Sequence, residues 1–79
     1  MIDIELLMKL RNEKNKLSGK FEAYSEIADI AIDNARECID KHYNGEADAW
    51  LSIATVCNDK RHELINKLDE LTRQLKEIG

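Results

Sequence analysis

The sequence predicts an all-α fold, a long antiparallel helical hairpin that dimerises into a four-helix bundle. The 79 residues include no proline and only three glycines, and these two residue types usually mark the turns between short elements. Hydrophobic residues make up 43% and charged residues 35% of the chain, which is typical of helices with one dry and one wet face. Apolar residues also recur every seven positions on both sides of one strong turn signal. We therefore treat residues 1–79 as a single helical domain.

The first helix is predicted from about residue 3 to residue 43. Asp3 is a suitable N-cap, because its carboxylate can accept a hydrogen bond from a free amide of the first turn. Ile2 and Leu7 are spaced for a hydrophobic staple around this cap. Two heptad series form the predicted apolar seam of this helix: Leu10, Leu17, Tyr24, Ala31 and Cys38, and Leu7, Lys14, Phe21, Ala28, Ala35 and His42.

Asn44-Gly45 predicts the turn, because both residues tolerate the left-handed conformation that ends helices. The second helix is predicted from about residue 47 to residue 78. Glu46 and Asp48 lie near its N-terminus, where negative charge suits the helix dipole. The seam of this helix is again two series: Trp50, Cys57, Leu64, Leu71 and Ile78, and Ala47, Ala54, Arg61, Leu68 and Leu75.

Folding at residues 44–45 would bring small seam residues of both helices together near the turn, with Trp50 and His42 filling the tip. The same register would place Arg61 near Ala28, where its aliphatic stem is buried and its guanidinium reaches water.

Ser18-Gly19 leaves an alternative open. A glycine inside a helix costs about 1 kcal/mol relative to alanine, and a break at Gly19 would give a three-helix bundle. The heptad phase crosses Gly19 without a slip, which favours one continuous helix.

More apolar residues flank the seam than a two-helix hairpin can bury. Apolar residues on both flanks call for further helices, and a second copy would supply them as a two-fold dimer. One flank carries Ile4, Ile32, Ile39, Leu51 and Ile65, and the other carries Leu6, Ile27 and Ile53.

In architecture the chain is similar to the small plasmid RNA-binding hairpin proteins of the Rop type, which dimerise into four-helix bundles. The likeness rests on hairpin topology and on small residues in the heptad layers. This chain is longer and has no recognisable RNA-binding face, so the resemblance implies a fold and not a function.

The net charge of −4 is concentrated in one feature, which we call the acidic ribbon. Its residues are spaced by three or four positions, so they share one helix face opposite the seam. Like charges at this spacing oppose helix formation. The ribbon therefore predicts a regulator or inhibitor that binds another protein with a basic surface. Small acidic helical proteins of phages and mobile elements often act in this way, and by association we expect such an origin. A merely solvated face is the alternative. The acidic ribbon consists of Glu22, Glu26, Asp29, Asp33, Glu37 and Asp40.

Two further functions are compatible with the sequence. Lys9, Arg11, Lys16 and Lys20 form a basic cluster that could contact nucleic-acid phosphates, although its charges are spread around the helix. A purely structural coiled-coil module, whose partner is itself, is the other possibility.

No motif for catalysis, a cofactor or a metal is evident. Cys38 and His42 share a face at i and i+4, but no third or fourth ligand is apparent, and we expect no metal. The chain has neither a phosphate-binding glycine loop nor a nucleophile elbow, so we expect no enzyme activity. Without a signal peptide or an apolar run of membrane-spanning length, we expect a cytoplasmic protein that does not enter membranes and has reduced thiols.

Overall fold

The computed structural model describes residues 3–78, which form two helices packed side by side. Helix α1 spans Ile4–Asp40 and helix α2 spans Asn44–Ile78. Measured on Cα atoms, the hairpin extends 63 Å along its axis and 14 by 12 Å across it. The predicted all-α helical hairpin is therefore confirmed.

The N-terminus of α1 is capped as predicted. The backbone of Asp3 is extended, and its Oδ1 accepts a hydrogen bond of 3.1 Å from the backbone N–H of Leu6. This bond satisfies one of the amides that the first helical turn leaves without a partner. Ile2, half of the predicted hydrophobic staple, lies outside the described residues.

The predicted turn position is wrong by about three residues. The chain reverses at residues 41–43, and α1 ends at Asp40 rather than near residue 43. Asn44 and Gly45 are instead the first two residues of α2. The residue in the left-handed conformation is His42, with φ of 65°, whereas Gly45 does not have a positive φ.

A Schellman closure explains why the helix ends early. The N–H of Tyr43 donates to the carbonyl of Cys38 at 2.7 Å, and the N–H of His42 donates to the carbonyl of Ile39 at 3.0 Å. These two bonds satisfy carbonyls at the end of α1 and place His42 at the position that glycine or asparagine usually occupies. The carbonyl of Tyr43 then accepts from the N–H of Ala47 at 2.9 Å, which starts α2 at once.

Gly19 does not interrupt α1, which is continuous from Ile4 to Asp40. The continuous helix predicted from the heptad phase is confirmed, and the three-helix alternative is wrong. A Cβ added at Gly19 would meet no atom within 4 Å, so this glycine is not required by a close approach of another segment.

The core is the predicted seam. Every buried residue among those described belongs to one of the four heptad series, and none of them is polar or charged. In the half of the hairpin near the turn, the buried residues are alanine and cysteine, whereas leucines fill the open half. His42 is exposed rather than packed in the tip. The buried residues are Leu10, Ala28, Ala31, Ala35 and Cys38 on α1, and Ala47, Ala54, Cys57, Leu64 and Leu71 on α2.

The register of the two helices differs from the prediction by one heptad. The guanidinium of Arg61 lies 5.3 Å from the centre of the Phe21 ring, two helical turns away from the predicted neighbour Ala28. A shift of seven residues exchanges one seam residue for another, so the heptad pattern alone does not fix the register. The ring face partly compensates for the burial of Arg61 Nε, which has no hydrogen-bond partner among the described residues.

Replacing Gly19 by alanine should raise the free energy of unfolding by about 1 kcal/mol, because alanine is the better helix former and the new methyl group meets open space. Urea denaturation of the two proteins under the same conditions measures this difference. A loss of stability in the variant would contradict a continuous helix at this position.

Replacing His42 by glycine should also stabilise the hairpin, by about 1 kcal/mol, because glycine adopts the left-handed conformation without the strain of a Cβ. Gly45→Ala is the matched control. It should leave stability unchanged or raise it, since Gly45 lies in the first turn of α2 and its Cβ would meet no atom within 4 Å. If Gly45→Ala destabilised the protein and His42→Gly did not stabilise it, the turn would lie at 44–45 after all.

Candidate partner-binding surface

The acidic ribbon forms a stripe on α1 that is free of cations from Glu22 to Asp33, after which the exposed Arg36 lies on the same helix face. All six of its residues are exposed, and they follow the helix on the side away from the buried seam. From Glu22 to Asp40 the ribbon extends about 27 Å along the helix axis, at 1.5 Å per residue. The structure therefore presents the six predicted carboxylates together on one accessible face.

Most of this charge is not neutralised within the described part of the chain. Lys41 Nζ lies 2.8 Å from Glu37 Oε1, and this contact lowers the pKa of Glu37 and raises that of Lys41. Across residues 3–78, no other ribbon carboxylate has a cation within 4 Å. The ribbon thus keeps a high density of unpaired negative charge between Glu22 and Asp33.

Exposed aliphatic side chains border the ribbon. Ile32 and Ile39 lie on its edge, on the flank of α1 that faces the same side as Leu51 of α2, and all three are exposed. A charged stripe with an aliphatic border offers both electrostatic and apolar contact. The combination is more typical of a protein-binding surface than of a face that is only solvated.

The basic cluster does not form a uniformly positive face. Lys9, Lys16 and Lys20 line one open groove along α1, but Glu5 and Glu13 line the same groove. Arg11 is exposed but is not among the residues that line this groove. The structure therefore brings together three of the four predicted phosphate contacts and places two carboxylates among them, which weakens attraction for a polyanion.

The cysteines are buried and free. Cys38 Sγ donates to Glu46 Oε2 at 3.9 Å, and burial, together with the nearby carboxylates of Glu46 and Glu37, raises the pKa of this thiol. Over residues 3–78, no three histidine, cysteine or acidic side chains come together as a metal site would require. The arrangement keeps the Cys38 thiol protonated.

Sequence reasoning missed half of a second surface, which we call the aliphatic patch: Ile27, Ile30, Ile53 and Val56. All four side chains are exposed. Ile27 and Ile53 were predicted on one flank of the seam, but Ile30 and Val56 were not. Each lies three residues after a predicted flank residue, so the i,i+3 spacing was the signal that could have found them.

Two open grooves show that the patch residues of both helices share one side of the hairpin. Asn34 and Glu46 line a groove near the turn, and Glu13 and Lys67 line another in the open half. On α1, Asn34 and Glu13 are separated from Ile27 by multiples of seven residues. On α2, Glu46 and Lys67 are separated from Ile53 in the same way. All four therefore lie on the same helix faces as the patch. The patch lies between the two grooves.

Neither described helix has a stretch that is both long enough and apolar enough to cross a bilayer.

Comparisons with protein-family models, with curated proteins and with solved structures find no match to this chain.

The Cys38 thiol should react with iodoacetamide much more slowly in the native protein than in urea at pH 8. The thiolate is the nucleophile, and the raised pKa in the folded state lowers its fraction while burial limits access. The same shift means that Cys38 contributes stability at neutral pH that is lost as the pH rises through the folded-state pKa. A Cys57→Ser variant isolates the rate at Cys38, and equal rates in the two states would contradict the burial and pKa of this thiol.

Proposed function

We propose that this chain is a small protein-binding regulator or inhibitor whose contact surface is the acidic ribbon of α1. The observation that carries the proposal is the row of exposed, unpaired carboxylates from Glu22 to Asp33 beside the exposed side chains of Ile32 and Ile39. A partner with a basic, partly apolar surface would complement both features.

The acidic ribbon has an electrostatic cost in the free protein. Carboxylates three or four residues apart on a helix repel each other by a few tenths of a kcal/mol per pair. Lysine or arginine side chains of a partner would relieve this repulsion and steer the encounter. Binding of cationic side chains of another molecule would therefore relieve a repulsion that is present in the free chain.

The apolar border of the ribbon supplies binding affinity that the charges alone do not. Exposed ion pairs contribute little net affinity, whereas aliphatic side chains removed from water contribute roughly 25 cal/mol per Å². Ile32 and Ile39 would thus add affinity to an encounter that the carboxylates orient. A protein partner can place cationic side chains next to an apolar recess. A nucleic acid cannot, because it is itself a polyanion.

The chain would act by occupying its partner's surface. Where that basic surface normally binds nucleic acid, the ribbon would exclude the nucleic acid by placing its carboxylates where the phosphates would bind.

A second candidate function is a self-assembling structural module, which the exposed aliphatic patch favours independently of the ribbon.

Reversing the charge of Glu26, Asp29 and Asp33 to lysine should abolish partner capture from a lysate of the source cells. The matched control is Asp59→Lys, Asp69→Lys and Glu77→Lys, which changes the net charge equally at exposed positions of α2. The proteins retained by each bait are compared by mass spectrometry, and far-UV circular dichroism checks that all three baits are equally helical.

The capture should also weaken steeply from about 0.1 M to about 1 M salt, over which the Debye length falls from about 10 Å to about 3 Å. A partner retained equally by the ribbon variant and the wild-type protein, or one lost only from the α2 control, would contradict the proposal.

A further inference from the structure

The aliphatic patch is a group of four exposed aliphatic side chains, two on each helix. Its four side chains are exposed to 45% at Ile27, 58% at Ile30, 41% at Ile53 and 58% at Val56. Residues this exposed do not contribute much to the seam between α1 and α2. Contiguous aliphatic side chains on a polar surface mark a site that another molecule covers.

The two halves of the patch lie at the same level along the hairpin. Cross-helix contacts of Cys38 with Glu46 and of Phe21 with Arg61 fix the register. In this register Ile27 is level with Val56, and Ile30 is level with Ile53. The four side chains therefore form one cluster on one side of the hairpin, rather than two separate stripes.

The single hairpin exposes more surface than a compact monomer of its mass, because its two helices form a thin rod. The 9.1 kDa chain exposes 6102 Å², whereas a compact monomer of this mass exposes about 4,900 Å². The excess is about 1,200 Å², which is more than the roughly 800 Å² that each partner buries in a standard interface.

We infer that a second copy of this chain docks on the aliphatic patch, with its hairpin antiparallel to the first. In this two-fold dimer, α1 lies over α1 of the second copy and α2 over its α2, and the patches meet at the symmetry axis. The inference is independent of the function proposed for the acidic ribbon.

The charges around the patch select the antiparallel orientation. On the side towards the turn, the carboxylates of Glu37 and Glu46 outnumber Lys41. Within about 13 residues of the patch centre on the side towards the open end, the cations outnumber the one carboxylate of the patch face, Glu63, and Glu13 and Glu70 lie just beyond them. An antiparallel dimer sets the acidic side of each copy against the basic side of the other, whereas a parallel dimer sets the basic sides against each other. The cations on the open side are Lys16, Lys20, Lys60 and Lys67.

One specific pair follows from this symmetry. Glu37 and Lys20 lie equally far from the centre of the patch on α1, about 13 Å in opposite directions at 1.5 Å per residue. The antiparallel dimer therefore places Glu37 of one copy over Lys20 of the second copy, twice. In a parallel dimer, Glu37 would instead face Glu46 of the second copy.

The overlap is long enough for a stable interface. The turn lies about 13 residues from the patch centre, so two antiparallel copies overlap over about 26 residues, or roughly 39 Å. Two adjacent helices present a width of about 20 Å. The footprint is then about 800 Å² per copy, which is the size of a standard specific interface.

The first experiment measures the mass of the full chain by sedimentation equilibrium over a range of concentrations. The wild-type protein should be a dimer, and Ile30→Lys with Val56→Lys should weaken it at least about tenfold by placing unpaired charge in an apolar contact. The matched control, Ile39→Lys with Leu51→Lys, changes two exposed aliphatics on the opposite flank and should leave the dimer intact. Circular dichroism checks the helicity of each variant.

A wild-type monomer at high protein concentration would overturn the inference. So would a dimer that survives the patch variant and dissociates in the control variant, because the second copy would then cover the flank that borders the acidic ribbon.

The second experiment tests the orientation with single charge reversals. Lys20→Glu alone and Glu37→Lys alone should each weaken the dimer several-fold, since each creates two like-charge contacts in place of two ion pairs. An equimolar mixture of the two variants should regain wild-type affinity, because both contacts become attractive in the heterodimer. A Glu37→Lys dimer tighter than wild type, or a mixture that does not recover, would overturn the antiparallel arrangement.

Discussion

The close packing of alanine and cysteine in the half of the seam near the turn is the constraint on which the rest of the molecule depends. Ala28, Ala31 and Ala35 of α1 are almost completely buried against α2, so the helices approach too closely there for large side chains. Burial of an alanine methyl removes little apolar area from water, so this half of the core contributes modestly to stability. The larger aliphatic side chains of the same segment are consequently found on the flanks.

Because the larger aliphatic side chains lie on the flanks, each flank has an apolar surface, and the two differ in the charges around it. Ile32 and Ile39 emerge beside the acidic ribbon, on a surface dominated by carboxylates. Ile27 and Ile30 emerge on the opposite flank, where they join Ile53 and Val56 of α2 and where lysines lie towards the open end. One hairpin thus carries two apolar surfaces with different charge around them, and different charge selects different partners. The flank with the aliphatic patch has oppositely charged ends, so it is complementary to a second copy of the chain. The flank with Ile32 and Ile39 borders the acidic ribbon, so it is complementary to a basic protein.

The sequence predicted those features that depend on periodicity and failed where a single local interaction decided the geometry. Heptad spacing identified every buried residue and the continuity of α1 through Gly19, because burial on a helix follows its period. It could not place the turn, since the Schellman closure uses His42, a residue that adopts the left-handed conformation less readily than glycine. Asn44-Gly45 offered a stronger signal that the chain does not use. The register error followed from the turn. The acidic ribbon could be predicted because all its residues lie on one helix. The aliphatic patch depends on the register of both helices, and only two of its four residues were predicted.

The two proposed surfaces share a single residue, Glu37, which belongs to the ribbon and also faces Lys20 of the second copy in the inferred dimer. The pairing of Glu37 with Lys41 lowers its pKa, so it stays ionised for either contact. The other ribbon residues lie away from the patch, and a dimer would therefore keep two ribbons accessible, one on each copy and running in opposite directions. A two-fold symmetric basic partner, or two basic sites on one partner, could then be bound by both ribbons at once. The second contact would form at a high effective concentration, so the affinity would rise without any new interaction in either ribbon. Dimerisation through the aliphatic patch would in this way strengthen a ribbon contact that exposed ion pairs alone leave weak.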